Sequence, residues 1–211
     1  MDAQALRQLM VEQGRSLFNR GFTTGGGGNL SLKLPNGNIL TTPTGSSLGR
    51  LNADTLSEVT IDGTHISGDR PSKEAGFHLA VYLSNQTVNG IVHLHSTYLT
   101  ALSVRADLDV DNAIKAFTPY YVMRIGALPV VPYFAPGSAR LNDTIGSLTA
   151  QGHKAVLLAN HGPVVTGTDF LDAVDNAEEL EETAKLAWLL QGQPVKYLTD
   201  TEVSELTHKR K

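Results

Sequence analysis

Cysteine is absent from the 211 residues, so neither a disulfide framework nor a thiolate metal site can form. Any metal must be held by imidazole and carboxylate, and the absence of cysteine fits a cytoplasmic protein. No apolar run approaches the roughly 18 residues needed to cross a bilayer, so no membrane partner is expected. The first 18 residues carry Asp2, Arg7, Glu12 and Arg15 and lack the uninterrupted apolar centre of a secretion signal. Excess charge of one sign is also missing: 17 Lys and Arg against 21 Asp and Glu give a net charge of −4. The basic residues are scattered apart from Lys209, Arg210 and Lys211, which read as a frayed end, so nucleic acid is not an expected partner.

No repeat, low-complexity tract or linker divides the chain, which predicts one domain over residues 1–211. Leu6, Leu9, Met10 and Leu17 recur at helical spacing and stop at Gly21, predicting a helix from Ala3 to Arg20. Leu30, Leu32 and Leu34 alternate with polar residues, Asn36-Gly37 makes a turn, and Ile39 to Thr42 returns as the second strand of a hairpin. A second hairpin is predicted from Glu58 to Ser67 around Asp62-Gly63. Ser72 is the expected N-cap of a helix ending near Asn85, with Glu74 in its first turn. Gly90 to His95, Leu128 to Val131 and Ala155 to Ala159 read as buried strands, and Ala139 to Ala150 and Phe170 to Leu190 as helices. The expected class is α/β, a mixed and mostly antiparallel sheet flanked by helices.

Two histidines stand one residue apart in Val92-His93-Leu94-His95, and the two-residue period of a strand puts both rings on one face. His161 follows the strand Ala155 to Ala159, and Gly162 beside it would permit a tight turn. Three imidazoles and one carboxylate make a zinc site, and Glu74 is a candidate fourth ligand that could also handle protons. Spacing alone does not choose it. Glu74 and His78, four apart on a helix, form a competing pair, although a histidine so placed is more simply a satisfied helix residue.

Three further segments are rich in backbone N–H groups and hydroxyls: Gly25 to Asn29, Thr42 to Ser47, and Pro71 to Lys73. Together they could wrap a phosphate, with Ser72 and Lys73 adding a helix start and an ammonium. The glycines at 25–28 do not lead from a strand into a helix, and there is no nucleotide-binding lysine loop, so nucleotide binding is disfavoured.

Taken in order, Gly27-Gly28-Asn29, Thr42-Pro43-Thr44-Gly45, Pro71-Ser72-Lys73-Glu74, His93-Leu94-His95 and Asn160-His161-Gly162 resemble the class II aldolase and adducin-head family across most of the chain. The resemblance implies a three-layer α/β/α fold, a zinc ion on His93, His95, His161 and Glu74, and phosphate-binding positions at Asn29, Thr44, Gly45 and Ser72 with Gly28 beside them. Lys73 stands where the family usually has a second serine. Glu74 replaces the aspartate of the epimerase branch, which implies an aldolase-like reaction.

Tyr120 to Arg124 and the segment from Asp107 to Lys115 look most like the family's 3-oxo-tetronate 4-phosphate decarboxylase branch. That branch implies loss of CO2 from a phosphorylated sugar acid through an enediolate, leaving dihydroxyacetone phosphate. The family resemblance further implies a homotetramer, and by similarity to related aldolases a tyrosine, best matched by Tyr121 with Tyr120 as the alternative, reaches a neighbouring subunit's site. Arg124 or Lys73 could hold the departing carboxylate, with ordinary ion pairing as the simpler role for each.

Overall fold

The structure, a computed structural model, describes residues 1–135 and 137–208, so Lys209, Arg210 and Lys211 lie outside the described residues. Helix α1 (Ala3–Asn19) opens where Asp2 Oδ1 accepts the Ala5 N–H at 2.8 Å, and ends where Gly21 turns left-handed at φ +79°. It buries Met10, Val11, Gly14 and Leu17.

Among the described residues eight strands form one sheet: β1 (Asn29–Lys33), β2 (Ile39–Thr41), β3 (Ser57–Val59), β4 (His65–Ser67), β5 (Gly90–His93), β6 (Val130–Val131), β7 (Ala155–Leu158) and β8 (Gly162–Gly167). Their order across the sheet is β4-β3-β2-β1-β5-β8-β7-β6. All neighbours are antiparallel except β6 and β7, so the expected mixed, mostly antiparallel sheet is present.

The helices are α1, α2 (Ala75–Ser84), α3 (Thr97–Ser103), α4 (Pro119–Arg124), α5 (Ala139–Ala150), α6 (Phe170–Leu189) and α7 (Asp200–His208). Strand alternation sorts the core into two halves. Leu30, Leu32, Val92, Leu94 and Val165 pack with residues of α1, α3 and α6, whereas Ile39, Ile91, Val156 and Val164 pack with Phe77, Val81, Leu141 and Ile145 of α2 and α5. This is the three-layer arrangement, and it leaves the polar residues Asn29, Ser31 and His93 on the α2 side of the sheet.

Some boundaries differ from expectation for physical reasons. Glu74, not Ser72, is the N-cap of α2; Ser72 Oγ accepts the Glu74 N–H at 3.2 Å and closes a turn just before the helix. β5 ends at His93, so His95 lies beyond the strand. β8 was not expected because Gly162-Pro163 and Gly167 read as breakers; it lies between β5 and β7 in the sheet, with Pro163 paired to Leu157 of β7 but one residue before the pairing with β5 begins. Short α3 and α4 depend on tertiary partners, and α7 has little apolar patterning to announce it.

Candidate active site

Strand β5 delivers His93, whose ring is fully buried. Its Nδ1 lies 2.8 Å from the Pro163 carbonyl on β8, and a carbonyl only accepts, so Nδ1 carries the hydrogen and Nε2 presents a lone pair. Two residues on, the exposed His95 turns back so that its Nε2 lies 3.2 Å from His93 Nε2. The β7–β8 turn supplies His161, whose Nε2 is 2.9 Å from His95 Nε2.

That turn is tight for a different reason from the one expected. Asn160 takes the left-handed conformation at φ 58°, and the Ser103 carbonyl accepts its N–H. Gly162 is needed for close approach instead, because a Cβ there would collide with the Leu94 carbonyl oxygen.

Glu74 closes the cluster from the start of α2. Its Oε2 lies 3.4 Å from His93 Nε2 and its Oε1 3.4 Å from His161 Nε2, while Asn29 Nδ2 donates to Oε2 at 2.6 Å. Two ligands of a tetrahedral zinc ion, each about 2.05 Å from it, stand about 3.3 Å apart. The observed separations of 2.9 to 3.4 Å therefore suit one small cation, and the three histidines alone already form a cluster that could hold a metal ion.

Burial pushes the His93 ring down to about 4 and His78 to about 3, and lowers His95 as well, with His161 adding to the last. His93 and His78 are thus neutral at neutral pH. In the metal-free protein this is a stability statement, because the unfolded chain protonates these rings near pH 6.5. Stability should be full above pH 6.5 and decline as pH falls toward 4 and 3, by about 1.4 kcal/mol per pH unit for each ring. Urea unfolding of metal-free protein between pH 7.5 and 5 tests this, and His78→Gln should make the decline shallower.

The three anion-loop segments meet beside the cluster. Pro43 bridges Pro71, the Thr42 carbonyl accepts the Ser72 N–H at 3.2 Å, a Cβ on Gly26 would lie 3.4 Å from the Ser46 carbonyl oxygen, and one on Gly27 would lie 3.2 Å from His95 Nδ1. Gly28 has φ +79° and sits under the His93 carbonyl, where a Cβ would come within 2.7 Å. Not all of the backbone N–H groups in these segments are free: those of Gly27 and Ser46 close local turns onto the Thr24 and Pro43 carbonyls, and those of Thr44 and Ser72 reach across to the Arg70 and Thr42 carbonyls. Side chains are more available, since Thr44 and Lys73 are exposed. Ser47 Oγ is the buried side-chain polar atom left without a partner among the described residues.

Other candidates fall elsewhere. His78 is buried under α2 with Ser31 and Asn29 as partners, away from the role of a ligand. The Tyr121 ring is fully buried, its Oη donates to Asn112 Oδ1 at 3.1 Å, and burial raises its pKa, whereas Tyr120 is 60% exposed. Arg124 is engaged with Asp172, Asp175 and Asn176 of α6, which is the ion-pairing role.

Glu181 escaped the sequence reading. From α6 it accepts the Ser96 hydroxyl at 2.7 Å and the N–H groups of Tyr98 and Leu99, capping α3 directly after His95. Its signal was an acid on the apolar stripe of Ala177, Leu180 and Ala184.

Residues 8–188 match the class II aldolase and adducin N-terminal domain family. The chain belongs to this family. A 3-oxo-tetronate 4-phosphate decarboxylase of Haemophilus influenzae is 57% identical over 98% of both chains, and that of Escherichia coli K12 is 53% identical over 96% of this chain and 95% of its own. The solved structure of YgbL from Klebsiella pneumoniae has a TM-score of 0.95 at 56% identity and covers 98% of this chain and 99% of that one. An L-fuculose 1-phosphate aldolase structure has a TM-score of 0.82 at 28% identity, covering 96% and 94%. The expected fold and carbon–carbon lyase class agree with these relatives. Among the described residues no helix is long and apolar enough to cross a membrane.

Proposed function

We propose that the chain decarboxylates a 3-oxo-tetronate 4-phosphate to dihydroxyacetone phosphate and CO2, in the breakdown of four-carbon sugar acids. The observation that supports this best is the convergence of Glu74 and three histidines beside three anion-suited loops. The relatives' names contribute the substrate class.

In this reading His93, His95, His161 and Glu74 hold one zinc ion per chain. The ion supplies Lewis-acid stabilisation of charge developing on the substrate oxygens. Thr44, Gly45, Ser72 and Lys73 grip the phosphate, with Asn29 adding its second amide hydrogen and Gly28 keeping the loop close to β5. The unpartnered Ser47 hydroxyl supports an anion at this loop.

As the bond from the carboxyl carbon to its neighbour breaks, its electron pair passes into the adjacent carbonyl, and the carbon left behind needs one proton. In this reading Glu74 delivers it from solvent. The working unit is a cytoplasmic homotetramer. The burial of Tyr121 supports Tyr120 as the tyrosine offered to a neighbouring site.

Aldol cleavage by the same residues is the second reading, favoured by the fold shared with the L-fuculose 1-phosphate aldolase. An assay panel of 3-oxo-tetronate 4-phosphates, L-fuculose 1-phosphate and ribulose 5-phosphate separates the readings when CO2, aldehyde and epimer are scored separately. CO2 release from the first is expected. Aldehyde from the second, with no CO2 from the first, would establish the aldolase instead.

A further inference from the structure

Glu74, His78 and Tyr82 stand four residues apart along one face of α2, and Asn29 and Ser31 stand two apart on the facing side of β1. The helical and strand periods thus bring five polar side chains into one line. Four of them are buried, with Tyr82 and Ser31 at 0% exposure, His78 at 1% and Asn29 at 4%.

Each hydrogen bond in the line determines the next. An ionised Glu74 carboxylate only accepts, so the Asn29 group 2.6 Å from it is the amide N–H2. The Asn29 oxygen then faces His78 Nε2 at 2.5 Å, and an amide oxygen also only accepts, so Nε2 carries the ring hydrogen. Burial keeps the ring neutral, which leaves Nδ1 bare to accept from Ser31 Oγ at 2.7 Å. Ser31 has used its only hydrogen, so Tyr82 Oη donates to it at 2.9 Å.

We propose that His78 is a positioning residue: set as its Nε2–H tautomer by Ser31 and Tyr82, it holds the Asn29 amide with N–H2 toward Glu74 and so fixes the carboxylate. The reverse amide orientation would set the Asn29 oxygen against that carboxylate, lone pair to lone pair. The inference rests on the reading of Glu74 as the proton-handling group, which both the decarboxylase and the aldolase reading share.

The test uses the full-length, zinc-loaded protein. Long-range proton–nitrogen NMR of ring-labelled histidine reads the His78 tautomer. In parallel, kcat, KM and zinc content are measured for wild type, His78→Phe and His78→Gln, on whichever panel substrate the wild type turns over. The Nε2–H tautomer is expected. His78→Phe should lose about tenfold to a hundredfold in kcat with zinc content unchanged. His78→Gln, whose terminal N–H2 can reach the same Asn29 oxygen, should recover most of the loss.

An Nδ1–H tautomer, or equal kcat in the two variants, overturns the proposal. Should His78→Phe fail to fold, the tautomer and near-normal turnover in His78→Gln support it, and their absence overturns it. Wild type that releases aldehyde but no CO2 contradicts the decarboxylase reading alone, and the variant ratios still judge the relay. With no turnover on any substrate, the tautomer decides.

Discussion

Turnover of the Glu74→Gln variant is expected to fall by about a thousandfold, in line with loss of a positioned acid or base. The exchange keeps the side chain's shape, and its amide oxygen can still accept from Asn29 Nδ2, now 2.6 Å from the carboxylate. What it removes is a negative charge facing two imidazole nitrogens at 3.4 Å and a group able to carry the proton that replaces CO2. Three histidines remain, so much of the zinc should stay. Turnover within about tenfold of wild type would remove Glu74 from proton transfer.

The second large effect concerns the metal. His95 is exposed, so His95→Ala creates little cavity and should leave the unfolding midpoint almost unchanged. Its Nε2 nonetheless lies 3.2 Å from that of His93 and 2.9 Å from that of His161. Metal affinity should drop by more than about a hundredfold, beyond what changes to the outer hydrogen bonds of a metal site cost. Dialysis followed by metal analysis reads this directly. His93→Ala should also lose the ion, but it empties a fully buried position and strips the Pro163 carbonyl of its donor, so it destabilises as well. Full zinc occupancy in His95→Ala would place the ion elsewhere.

Much of this was legible in the sequence because it depends on local periods. The leucines at 30, 32 and 34, the turn at Asn36-Gly37 and the helical spacing of α1 each announce an element without reference to the rest of the chain. His93 and His95 could be placed on one side of a strand from spacing alone, although the strand stops before His95.

Features set by partners distant in sequence were not legible. Glu181 caps a helix some 80 residues earlier, and only a carboxylate on an apolar stripe hinted at it. Sequence spacing correctly left His78 as a satisfied helix residue, but its partners sit 47 and 49 residues away on β1. Tyr121 matched a family position, yet the fold turns it inward and leaves Tyr120 at the surface. β8 was hidden because glycine and proline look like breakers until α6 and β5 are seen packed closely against it.

The most direct test of the proposed chemistry is to supply 3-oxo-tetronate 4-phosphate carrying 13C in its carboxyl group to the zinc-loaded protein in D2O, and to follow both products by NMR. The account predicts 13CO2 and dihydroxyacetone phosphate with one deuterium on the carbon that lost the carboxyl group. Unchanged substrate, with aldehyde formed from L-fuculose 1-phosphate under the same conditions, would contradict it.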